Sequence, residues 1–203
     1  VTLRDLTDIV AFIDPASGKA VQHKRTSSRS ADVVVGQDAI SRIFVLHAWA
    51  DRVSTTTHTD RIFKLVQDFP GLRVVGIDAS AMQSLYADAL QREAKQRLLR
   101  LPLLPMKMPT NVDKVSRTET ILQPVINSGR LVMHPTHRDL WLELEAFPAG
   151  ATLDLADALA QAISMLRKTT VAKSGAMERD ARLEFLRESN APSWYIDEVA
   201  RSA

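Results

Sequence analysis

Four aspartates stand where a carboxylate has chemistry open to it. "IVAFID" (residues 9–14) is an apolar run that climbs to Asp14 and is stopped by Pro15; "LRVVGID" (72–78) is a second such run, ending on Asp78. Asp154 and Asp157 lie one helical turn apart at the start of "TLDLADALAQAISMLR". A carboxylate at the end of a core strand is costly unless it is paired or holds a metal, although Asp-Pro also starts ordinary turns. Ligand sites in open α/β sheets form beyond the carboxyl ends of strands, so two strand-end acids and one at a nearby helix start converge on one pocket. Converging carboxylates raise one another's pKa unless a cation lies among them. An all-oxygen set suits Mg²⁺ or Mn²⁺. Two such ions roughly 3.5–4 Å apart activate a water and stabilise the leaving oxygen of a phosphodiester. Spacing alone leaves both readings open, metal ligands and plain structural aspartates.

Other chemistries find less support. The chain has no cysteine, which excludes disulfides, thiolate metal sites and a Cys nucleophile and fits a reducing compartment. His134 and His137 in "HPTH" have Pro135 between them and no third His nearby, a poor zinc pattern. The Ser/Thr cluster at 54–59 reads as helix capping, and no Ser/His/Asp arrangement is evident. Trp49, Trp141 and Trp194 read as packing residues rather than base-stacking platforms. The net charge is only +2, but residues 16–30 hold Lys19, Lys24, Arg25 and Arg29 with no acid. Residues 95–134 hold Lys95, Arg97, Arg100, Lys107, Lys114, Arg117 and Arg130 against Asp113 and Glu119. Such clustering points to a polyanion partner or to a solvated face.

The elements that must position these residues follow from periodicity and punctuation. With 203 residues, 45% hydrophobic and 25% charged, the chain suits one globular domain with an appendage. No apolar run reaches the roughly 20 residues of a membrane span, and "VTLRDLTDIV" lacks a signal-peptide layout. Residues 8–14 read as a buried strand, and 32–37 and 42–50 as a hairpin across "DAIS". Ile62, Phe63, Val66 and Phe69 follow helical spacing, ended by Pro70-Gly71. After the 72–78 strand comes a helix from Ala81, then "LPLLPMKMP", whose prolines allow only a short or edge strand. Residues 113–128 predict an amphipathic helix closed by Gly129, "RLVMH" a last strand, "RDLWLELEAF" a helix ended by Pro148, and 152–167 a strong helix. Residues 168–203, with six bases and six acids, read as a helical appendage to a 1–167 domain. Strands first, then alternating strands and helices, predict an α/β layer fold with a mixed sheet.

The segments "IDPA", "SADVVVGQD" with "RIFVLHAWADR", "VVGIDAS", "KVSRTETILQPVINSGRLVMHP" and "FPAGATLDLADALA" resemble, in order and spacing, the nuclease domain of the large terminase subunit of tailed bacteriophages, over about residues 8–167. The resemblance implies an RNase H-like mixed β-sheet flanked by helices. It implies a metal-dependent endonuclease that cuts concatemeric double-stranded DNA during viral genome packaging, by two-metal hydrolysis. Asp14, Asp78 and Asp154 match its catalytic carboxylates, and these with Asp157 match the ligands of two Mg²⁺ or Mn²⁺ ions. Lys114 and Arg117 of "KVSR" match a basic pair suited to positioning DNA phosphates, and Asp32 matches a rim or structural position. Leu153 departs from the pattern, standing where the first Asp of an Asp-Asp pair is common, so that one ion is held less fully unless Asp157 substitutes. No GxxxxGK[ST] loop is present, so the chain corresponds to the nuclease half, expected to work with an ATPase motor domain, the portal and the small terminase subunit in the host cell cytoplasm. The rival readings are another RNase H-like nuclease, such as a junction resolvase or transposase core, and a DNA-binding or docking module whose carboxylates are structural.

Overall fold

The computed structural model describes residues 2–16, 29–78, 81–108 and 111–167. The basic residues Lys19, Lys24 and Arg25, together with Trp194 and the 168–203 appendage, lie outside the described residues.

Near-continuous apolar runs become strands covered on both faces. β1 (Leu6–Asp14) and β2 (Ser30–Asp38) are of this kind, buried along nearly their whole length. β2 turns into β3 (Ile43–Asp51) through a tight hairpin. The turn is fixed by Asp38, whose Oδ1 accepts the N–H groups of Ile40 at 3.1 Å and Arg42 at 2.8 Å. β4 (Val74–Asp78) and β5 (Leu103–Met106) run parallel to β1 on one side, and β6 (Leu131–Met133) runs parallel to β3 on the other. The result is a six-stranded mixed sheet of order β5-β4-β1-β2-β3-β6. The proline-broken stretch from residue 101 gives only the short edge strand β5, as its composition requires.

Two of the helices begin where the sequence places cap residues. Ser54 caps α1 (Thr55–Asp68) by accepting the Thr57 N–H, and Asp113 caps α3 (Lys114–Asn127) by accepting that of Ser116. The others are α2 (Ala81–Gln96), α4 (Arg138–Ala146) and α5 (Asp154–Met165). Alternation along the strands assigns them to layers. Val10 and Phe12 of β1 with Ala31, Val33 and Val35 of β2 form one core with α3, α4 and α5. Ile9, Ala11 and Ile13 with Val34 form the other, with α1 and α2.

α5 is the organising helix. Every residue from Leu155 to Ile163 is buried, which suits a helix that is apolar nearly all round. Its far end is held by Asp8, which accepts from Arg73 Nε at 2.6 Å and from the Arg167 N–H at 2.9 Å, while Arg73 Nη2 donates to the Met165 carbonyl at 2.8 Å. It also lies close against β4. A Cβ at Gly76 would stand 2.5 Å from Met165 Sδ and 2.8 Å from the Phe12 ring, so any larger residue here would displace those side chains.

Candidate active site

The alternation that sends Val10 and Phe12 toward α5 sends Asp14 the same way. Gly76 also faces α5, so Asp78, two residues on, shares its side. β1 and β4 are parallel with Ile13 paired to Ile77, so Asp14 and Asp78 sit side by side at the carboxyl edge of the sheet. The first turn of α5 brings Asp154 and Asp157 to the same edge. Strand pairing and helix position thus bring Asp14, Asp78, Asp154 and Asp157 to one edge of the sheet.

Lys114, the first residue of α3, holds the centre. Its Nζ lies 3.7 Å from Asp14 Oδ2, 3.7 Å from Asp154 Oδ1 and 3.4 Å from Asp157 Oδ2. Burial pushes the Asp14 carboxyl up, and Asp157, Asp154 and Asp78 add to the push. Together they carry it to about 6 although Lys114 pulls the other way. Burial also works against the charge on Lys114, but Asp14, Asp157 and Asp154 outweigh it and raise the ammonium above its ordinary value.

The four acids are not equivalent. Asp157 is enclosed by protein donors: Arg117 Nη2 at 2.9 and 3.2 Å, Thr118 Oγ1 at 3.1 Å and Gln161 Nε2 at 3.3 Å. Asp154 accepts from Arg29 Nε at 3.2 Å on Oδ2, with Oδ1 turned to Lys114. Among the described residues, no three acids or histidines are arranged about one point as ligands to an ion; the shared point lies at the Lys114 ammonium. The donor set fits a hard divalent cation nonetheless. It is all oxygen, and burial together with the neighbouring acids holds Asp14 near 6 beside a lysine. Lys114 and Arg117, expected to meet phosphates, here serve as counter-charges to these carboxylates.

Other candidate residues lie elsewhere. Asp32 projects to the opposite face of the sheet, since its neighbours Ala31 and Val33 point toward α5. There His58 Nε2 meets its Oδ1 at 2.7 Å, both side chains being fully buried. Trp49 stacks on this histidine with ring centroids 6.0 Å apart, and Arg61 lies 3.7 Å over the Trp49 ring. Asp32 and Trp49 are thus structural residues of the α1–α2 layer. Trp141 is partly exposed, beside Ile126 and Met133. His137 donates from Nε2 to the Val45 carbonyl at 3.2 Å, and His134 Nδ1 pairs with Thr136 Oγ1 at 2.8 Å. Sequence reading passed over two residues that reach the site, Arg29 and Glu143. Arg29 was visible only as one charge in a basic stretch. Glu143 lies on the interior face of "RDLWLELEAF", where a lone acid among leucines was the available signal.

No family model and no curated protein matches the sequence. Among solved structures, the chain is similar to the human cytomegalovirus terminase nuclease domain, Mn-soaked and inhibitor-bound, with a TM-score of 0.55 and 14% identity over 79% of this chain and 83% of that one. The same domain soaked with Mn alone gives a TM-score of 0.51 at 16% identity, over 79% and 83% of the two chains. T. thermophilus RuvC in complex with a Holliday junction substrate aligns at 0.47 and 17% identity, over 82% and 96%. The chain thus shares the fold of that terminase nuclease domain, the RNase H-like mixed sheet flanked by helices that the sequence leads one to expect.

Proposed function

We propose that this chain is the metal-dependent endonuclease domain of a viral DNA-packaging terminase, hydrolysing phosphodiester bonds of double-stranded DNA. One observation carries the reading: a single ammonium, Lys114 Nζ, lies within 4 Å of carboxylates from a strand end and a helix start, Asp14, Asp154 and Asp157. Asp78 stands beside them on the neighbouring strand. Asp14, Asp78 and Asp154 are the oxygen donors for Mg²⁺ or Mn²⁺. A bound divalent ion lowers the pKa of its water and stabilises a leaving oxygen. Asp157, expected from sequence as a further ligand, is assigned here to holding Arg117 and Lys114 of α3 against α5, because its oxygens already accept from Arg117, Thr118 and Gln161. On this reading the domain acts beside an ATPase motor, a portal and a small subunit in the host cytoplasm. Those partners supply the positioning on DNA that the domain by itself lacks.

The test is cleavage of plasmid DNA by these 203 residues. Slow, unselective nicking and linearisation with Mn²⁺, none with EDTA, and none by Asp14→Asn are expected. Cutting by Asp14→Asn at the parent rate would overturn the assignment. A four-way junction offered in parallel with linear duplex distinguishes a terminase nuclease from a resolvase, which would prefer the branched substrate.

A further inference from the structure

α5 begins without a cap of its own. Its N-cap residue is Leu153, which has no side chain able to accept a hydrogen bond, and leucine is among the poorest residues there. The N–H groups of Leu155 and Ala156, the second and third of the helix, are nevertheless satisfied. Both donate to one oxygen, Glu143 Oε2 of α4, at 2.9 and 3.1 Å. These are the two amides an N-cap side chain serves. Glu143 is 5% exposed, and a carboxylate so buried needs a counter-charge. Its other oxygen, Oε1, accepts from Arg29 Nη2. The same guanidinium reaches Asp154 Oδ2 through Nε, at 3.2 Å.

We propose that Glu143 is a positioning residue of the metal site: it caps α5 from the neighbouring helix and shares Arg29 with Asp154, so that the Asp154 carboxylate is fixed in place without taking the whole guanidinium. The proposal rests on the nuclease reading above. It gives Leu153 a physical account, since the cap that an aspartate at 153 would supply within the helix comes from Glu143. It also separates two effects of one side chain. Capping holds the backbone that carries Asp154. Pairing with Arg29 sets how much positive charge Asp154 already bears when an ion arrives.

Glu143→Gln divides these effects. The glutamine carbonyl still accepts the Leu155 and Ala156 N–H groups, but its amide nitrogen cannot accept from a guanidinium, so Arg29 keeps its bond to Asp154 without the competing one to residue 143. Mn²⁺ binding measured calorimetrically without DNA is expected to weaken about 10- to 100-fold, the usual cost of losing a partner behind a metal ligand, with Tm changed by only about 2–4 °C. Adding Arg29→Ala to Glu143→Gln removes that guanidinium, and Mn²⁺ affinity is expected to return to within about threefold of the parent. A merely structural glutamate gives no such recovery. Parent affinity in Glu143→Gln, or a loss that Arg29→Ala does not restore, overturns the proposal. Absence of Mn²⁺ binding by the unaltered protein overturns the nuclease reading itself, and that result is seen before any variant is made.

Discussion

Asp14 is both the residue on which the proposed chemistry depends and one that costs the metal-free protein stability. In the unfolded chain its carboxyl titrates near 3.9; in the fold, burial and the surrounding acids carry it to about 6. The folded state therefore binds the extra proton between those values, and the contribution has a definite sign. It is fully present below the unfolded pKa and is lost as pH rises through about 6. A shift of this size corresponds to about 2–3 kcal/mol at full ionisation. In EDTA, the parent Tm is expected to fall between pH 5 and pH 8, and Asp14→Asn to be the more stable protein at pH 8 with a flatter profile. Mn²⁺ favours the ionised carboxylate, so it is expected to raise the parent Tm at pH 8 and leave the variant unmoved. A variant less stable than the parent at pH 8 would mean that Asp14 is held by favourable contacts rather than penalised by burial and by its neighbouring acids. Residues of this kind were legible in the sequence because a charge at the end of an apolar run is a conflict, and conflicts mark sites. Glu143 posed a quieter conflict: its partners come from α5 and from Arg29, far away in the chain, and no local pattern announces a cap supplied by another helix.

At the scale of elements, α5 is fixed at both ends by buried charge, with Glu143 and Arg29 at its start and Asp8 and Arg73 at its finish. The two ends predict different phenotypes. Burial pushes the Asp8 carboxyl up, but the bonds from Arg73 and from the Arg167 N–H outweigh it and hold the group below its ordinary value. Its stabilisation is thus present above the unfolded pKa and lost as pH falls through the folded one, the opposite of Asp14. Asp8→Ala leaves Arg73, 30% exposed, without its carboxylate partner and removes the acceptor of the Arg167 N–H, while the Arg73 bond to the Met165 carbonyl remains. Breaking a buried pair costs about 3–5 kcal/mol, and the partial exposure of Arg73 places this case near the lower end. Urea denaturation is expected to show that loss, with Mn²⁺ affinity kept because the carboxylate cluster lies at the other end of the helix. A loss of metal affinity matching that of Glu143→Gln would show that α5 moves as a rigid rod and that its start has no separate control. The helix itself was readable from "TLDLADALAQAISMLR", though it starts at Asp154 rather than 152, since Leu153 marks its boundary without capping it. That Asp32 leaves the site was also implicit in the sequence, for alternation in "ADVVVGQ" sends it to the face opposite Val33. Its pairing with His58 was not, because that depends on how α1 packs.

At the scale of the molecule, the distribution of charge decides where a polyanion can lie. Lys114, Arg117 and Arg29 are turned inward onto carboxylates, so the basic pair expected to grip phosphates is already occupied. Arg97 is likewise engaged by Asp60 and Glu93. Lys107 is placed differently. It is exposed and directly follows Met106, which pairs with Asp78 across β4 and β5. It therefore stands at the same carboxyl edge as the acids, at the outer side of the sheet, where a duplex approaching the cluster would bring a phosphate. Contacts of this kind add affinity without reading sequence, and each neutralised phosphate steepens the salt dependence by about 0.9 in log–log slope. Lys107→Ala is expected to weaken binding to two unrelated duplexes by the same factor and to reduce that slope by about 0.9. Lys114→Ala is expected to leave the slope unchanged, because its charge is spent on Asp14, Asp154 and Asp157. Fluorescence anisotropy across a KCl series without divalent ions reads both. An unaltered slope in Lys107→Ala with a reduced one in Lys114→Ala would return the phosphate contact to α3, and would mean that DNA draws Lys114 out of the carboxylate cluster.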